Sequence, residues 1–123
     1  MRTVDISSSQ NLIASGGHEK RVRLFDVQHS SKSRDVGLHE GVIKSVVWDR
    51  SDRNDRTIIS SGDDKKVIWW DLRSPSPSTE FTTEDMITSM EESIEHNVVT
   101  VTAGKSVLIF DARTYILECV LFR

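Results

Sequence analysis

VIWWDL (residues 67–72) decides the fold, because the same chain carries two near-copies of it. VRLFDV occupies residues 22–27 and VLIFDA residues 107–112. Each reads apolar, variable, apolar, aromatic, Asp, apolar. The three aspartates, Asp26, Asp71 and Asp111, stand 45 and 40 residues apart. Self-similarity at such a period is the mark of a repeat architecture, and missing it mis-assigns the whole fold.

The flanks of the three copies also match. LIASGG (residues 12–17), IISSGD (58–63) and VVTVTAG (98–104) each lead into a short polar turn. Further back stand RTVDIS (2–7), KSVVWD (44–49) and TSMEES (88–93). Every unit therefore reads strand, polar turn, strand, tight turn, strand. A weaker fourth strand follows each Asp, near residues 32–36, 79–83 and 115–121. Val, Ile, Thr, Trp and Phe in short runs bounded by Gly, Asp, Asn and Ser are strand signals. The one rival is TEDMITSMEESIEH (83–96), where Met86, Ile87, Met90 and Ile94 fit helical spacing. Its register against the other units predicts a strand followed by a turn. The third strand of each unit is apolar at nearly every position. A sheet with one wet face would alternate, so these sheets are expected to be covered on both faces. Four-stranded units of this length, stacked face to face around an axis, make a propeller.

These residues resemble the WD-repeat family. The second unit carries the pattern best, as LHEGVIKSVVW (38–48) followed by TIISSGDDKKVIWWD (57–71). The resemblance implies a hydrogen-bonded tetrad of His39, Ser60, Asp64 and Trp70. The first unit departs from it, with Glu19 at the turn position and Phe25 in place of the Trp. The third has Gly104 and Phe110 there. Phe fills the Trp volume but has no N–H to place, so these two units are expected to rest on packing alone. The expected fold is all-β: a partial WD-repeat β-propeller of three four-stranded antiparallel blades, spanning about 1–37, 38–83 and 84–123. Three blades form an open arc of a seven-bladed ring. The chain is thus expected to be a fragment, or an arc that missing blades or another chain would complete, since closed propellers need at least four.

Net charge is −3, with Lys and Arg scattered among Asp and Glu. No global field recruits nucleic acid or an anionic membrane. No apolar run is long enough to span a bilayer, and MRTVDISSS has no apolar secretory core. The single cysteine, Cys119, has no partner for an internal disulfide. That suits a reducing compartment, so a cytoplasmic or nuclear setting is expected.

Candidate chemistry is sparse. Asp63 and Asp64 could be paired carboxylates, but adjacent residues point apart and Asp favours turns for local hydrogen bonds. Trp69 and Trp70 alternate faces, so they do not form one stacking platform. TAGKS (102–106) lacks the spacing of a phosphate loop. Cys119 has no His or basic neighbour in sequence to activate it. DRSDRNDR (49–56) reads as a solvated loop. RSPSPST (73–79) reads as an extended loop in which Ser74 and Ser76, each followed by Pro, are phosphorylation candidates. No catalytic, metal or cofactor residue is expected. The expected function is a non-catalytic scaffold for other proteins, with His18, Lys44 and Asp63 as candidate partner-binding residues on one rim. Within the family, the units are similar to a member associated with the survival-of-motor-neuron complex, spliceosomal ribonucleoprotein assembly and transforming-growth-factor-β receptor signalling. The alternatives are a subunit of another assembly, such as translation initiation factor three, or a truncated non-functional fragment.

Overall fold

The computed structural model describes residues 2–7, 9–29, 33–50, 56–73, 77–93, 95–112 and 114–122. They form twelve strands and, among the described residues, no helix. The first blade holds β1 (Arg2–Ile6), β2 (Leu12–Gly17), β3 (Arg21–Asp26) and β4 (Ser33–Leu38). The second holds β5 (Ile43–Trp48), β6 (Thr57–Gly62), β7 (Lys66–Asp71) and β8 (Pro77–Thr82). The third holds β9 (Ile87–Ser93), β10 (Val98–Ala103), β11 (Ser106–Asp111) and β12 (Leu117–Phe122). Each blade is an antiparallel meander in chain order, a consequence of the short polar turns between β-branched runs. The ambiguous segment 83–96 becomes β9, with Ile87 and Met90 buried and Met86 half exposed at its start.

Period-two alternation sends the two faces of β7 to different neighbours. Ile68 and Trp70 join Ala14, Val22, Leu24, Ile43, Val46, Trp48 and Ile58 in the core between the first two blades. Val67 and Trp69 join Ile59, Met90, Val99, Val101, Leu108 and Phe110 in the core between the second and third. The four central residues of β7 are therefore all buried. Its counterparts β3 and β11 alternate in burial, because each has a blade on one side only. On the free face of the first blade, Val4 is 62% and Ile6 43% exposed. Trp70 needs room at the first seam, and Gly37 supplies it. A Cβ at Gly37 would fall 2.2 Å from the indole ring.

The third hairpin is one residue tighter than the other two. Ser15 pairs with Arg23 and Ser60 with Ile68, but Val101 pairs with Leu108. Lys20 and Lys65 close the first two turns with φ of 65° and 66°, whereas Gly104 opens the third at 59°. Val101, fully buried, thus takes the place of Ser60. The third blade has no hydroxyl at that position, so its Phe110 has neither an N–H to offer nor an oxygen to meet.

Candidate functional site

The middle blade brings His39, Ser60, Asp64 and Trp70 together. Residues 39–42 lead into β5, and residues 63–65 form the turn between β6 and β7. Asp64 joins these two loops. Its carboxylate accepts from His39 Nδ1 at 2.9 Å, from the Glu40 amide at 3.1 Å and from the Lys66 amide at 3.2 Å. His39 Nε2 lies 2.6 Å from Ser60 Oγ, and Trp70 Nε1 donates to the same oxygen at 2.7 Å. A carboxylate only accepts, so Nδ1 carries the imidazole proton. Nε2 is then an acceptor, and the Ser60 hydroxyl donates to it. Burial is the main influence on His39 and holds its pKa below the ordinary imidazole value, against the opposing pull of Asp64. The ring is neutral and every polar atom of the set has its partner.

Ser–His–Asp in this order is also the bond pattern of a hydrolytic triad. Here it has no nucleophilic use. Ser60 is fully buried and its oxygen is already engaged by the Trp70 N–H. No substrate atom can reach it. The chain of bonds ties a loop to a turn.

On the same rim, Lys44 Nζ lies 3.8 Å from Asp63 Oδ1, an ion pair longer than a hydrogen bond. His18 is exposed in the turn between β2 and β3 and lines a concavity of about 270 Å³ with Ser15, Glu19, Arg21, Arg23 and Phe25. Ser74 and Ser76 lie outside the described residues, as does the side chain of Cys119. Among the described residues, no group of three or more His, Cys, Asp or Glu is placed to hold a metal ion. No described helix is long and apolar enough to cross a membrane.

At the opposite rim the first two residues of the 49–56 stretch, Asp49 and Arg50, depart from the expected solvated loop, while residues 51–55 lie outside the described residues. Asp49 is 3% exposed, and Arg50 reaches both neighbouring blades. Its guanidinium binds the Asp5 carboxylate through two bonds, at 2.9 and 2.8 Å, and also donates to the Ile6 carbonyl at 2.9 Å. Its backbone N–H donates to Glu92 at 2.8 Å. Trp48 adds an amide bond to the Asp5 carboxylate at 2.9 Å and an indole bond to the Asp5 carbonyl at 3.0 Å. Asp5, Arg50 and Glu92 lie on or beside the innermost strands of three successive blades, and together they clamp all three. Bidentate pairing makes the Asp5–Arg50 contact the strongest of the set.

Burial, reinforced by Asp49 and Asp5, pushes the Glu92 carboxyl up to about 7. A group whose folded pKa is raised stabilises the fold below its unfolded pKa and loses that contribution as pH rises through the folded value. The window here runs from about 4.5 to about 7. Glu92→Gln keeps an acceptor for the Arg50 amide and removes the charge. It is expected to stabilise the chain at pH 8 by about 1 kcal/mol, a figure discounted for solvent around the group, and by nothing at pH 4. Thermal melts at the two pH values check this, and an equal gain at both would disprove it.

Fold and tetrad together define a WD-repeat protein. A WD domain, G-beta repeat profile matches residues 1–26 and 32–71, and the chain belongs to that family. It is 32% identical over 94% of its length to serine-threonine kinase receptor-associated protein of Dictyostelium discoideum and covers 39% of that protein. It is 28% identical over 93% of its length to the protein of the same name from Gallus gallus and covers 32% of it. A shorter likeness, 38% over 54% of the chain, is to human DDB1- and CUL4-associated factor 5, of which it covers 7%. The chain thus spans about a third of the length of the receptor-associated relatives.

Proposed function

We propose that this chain is a segment of a WD-repeat scaffold that docks other proteins on the rim carrying His18, Lys44 and Asp63 and performs no catalysis of its own. One observation carries the proposal. The tetrad locks residues 39–42 against the 63–65 turn, so the rim presents polar side chains on fixed backbone. Binding residues gather on loops held by a rigid frame. The names of the receptor-associated relatives support a serine-threonine kinase receptor as one partner; that it is of the transforming-growth-factor-β type is taken from the sequence resemblance. Spliceosomal ribonucleoprotein assembly with the survival-of-motor-neuron complex is the second setting of the same proposal. A cytoplasmic location, with the nucleus as a second one, is part of the same proposal.

The test is affinity capture with the tagged chain, set beside a triple variant His18→Ala, Lys44→Glu, Asp63→Lys. The expected result is recovery of a receptor kinase domain or of Sm and survival-of-motor-neuron proteins by the parent chain, and a loss of at least fivefold with the variant. Equal capture by both would show that this rim is not the docking face. Recovery of neither group would remove both settings.

A further inference from the structure

Between the outer strands of the second and third blades lies a concavity of about 360 Å³, within the usual range for ligand sites. Its walls are Phe81 on β8 and Leu108, Leu117 and Val120 on β11 and β12. The splay of two blades at their periphery opens it, and Val120 remains 38% exposed there. Phe81 backs onto Phe110 at 5.1 Å, edge to face, so the floor is continuous with the core between the two blades.

The rim is acidic and held in place. Glu84 and Asp85 stand at its mouth, both exposed, and no cation lines it among the described residues. Thr83 is 5% exposed, and its hydroxyl lies 2.7 Å from the Asp85 carbonyl and 3.0 Å from that of Lys65. The Gly104 amide donates to the Met86 carbonyl at 3.2 Å. The loop bearing the two carboxylates is therefore fastened to both blades. Gly104 also leaves the space that Asp85 occupies. A Cβ there would fall 2.5 Å from Asp85 Oδ2.

An apolar slot under a fixed pair of carboxylates has one complementary occupant. We infer that this groove binds a segment of a partner protein in which a large apolar side chain is flanked by Lys or Arg. The apolar residue enters between Phe81, Leu108 and Val120, and its basic neighbours meet Glu84 and Asp85. A preformed rim spares the site the cost of ordering a loop on binding. An anionic lipid or acidic peptide would meet like charge at the mouth. The inference rests on the scaffold reading above and adds a second contact beside the 63–65 turn, at the periphery of the same rim, where the slot runs down between the outer strands of two blades.

The test uses methyl NMR on the whole chain with three nonapeptides: alternating Lys and Leu, alternating Glu and Leu, and alternating Lys and Ser. The Lys–Leu peptide alone is expected to shift the methyl signals of Leu108, Leu117 and Val120. The double variant Glu84→Lys, Asp85→Lys, altered only at exposed positions, is expected to bind it about tenfold more weakly with an unchanged melt. Equal binding by the double variant, equal binding of the Glu–Leu peptide, or shifts confined to other methyls would overturn the inference. So would concentration-dependent self-association through these methyls, which would make the occupant a second copy. Loss of peptide binding leaves the scaffold proposal standing, because capture by the His18 rim is measured separately.

Discussion

Urea unfolding of Trp69→Ala is expected to show a loss of about 4 kcal/mol, the usual cost of emptying a large aromatic site. Trp69 has no exposed surface. Its ring meets Phe110 edge to face at 5.3 Å and stacks on Tyr115 at 5.3 Å. Those partners belong to the third blade, so the cavity opens the seam rather than one sheet. A domain of this size has only about 5–15 kcal/mol in hand, and the loss is a large share of it. Trp69→Phe is expected to cost less than half as much. Phe keeps most of the ring contact, and it also removes the Trp69 indole N–H, which is buried without a hydrogen-bond partner. A loss below 1.5 kcal/mol for the alanine variant, against this expectation, would mean the seam can close over the gap.

Asp64→Ala is expected to cost about 3 kcal/mol, because it strands several donors at once. His39 Nδ1 loses its acceptor, and so do the Glu40 and Lys66 amides. Hydrogen exchange supplies the finer reading. The Glu40 and Lys66 amides should exchange faster in the variant, while the β6–β7 ladder amides keep their order of protection. Unchanged protection at both sites would show that the two loops hold together without the carboxylate. The His39 set also gives the chain an acid limit. With its folded pKa depressed by burial, His39 leaves stability intact above the unfolded imidazole value near 6.5 and withdraws it as pH falls below that. Glu92 acts in the opposite sense between about 4.5 and about 7, so it offsets part of the His39 loss in that range.

Sequence legibility followed locality. Strands and turns could be read because each depends on spacing within one unit, and the four tetrad residues of the middle blade came from the resemblance to the WD-repeat pattern. The aromatic–Asp pair at the end of each third strand fixed the period, and alternation alone placed Trp69 and Trp70 on opposite faces. The clamp at the other rim could not be read. Asp5, Arg50 and Glu92 stand at different register positions of three units, and they meet only when blades stack. A run of alternating charges then looks like any solvated loop, and nothing local marks Asp49 as buried or Arg50 as paired. The tighter third hairpin was hidden for a similar reason. Counting back from Phe110 aligns Gly104 with Asp64, but only the strand register shows that the serine position has become Val101. The groove under Glu84 and Asp85 is also a property of two blades meeting at their edges.

All three tryptophans of the chain, Trp48, Trp69 and Trp70, belong to the middle blade. Two of them face the first blade and one faces the third. The intrinsic ultraviolet emission of this chain is therefore a report on its two seams and on nothing else. Quenching differences between Trp70→Phe and Trp69→Phe would tell which blade departs first when the arc comes apart.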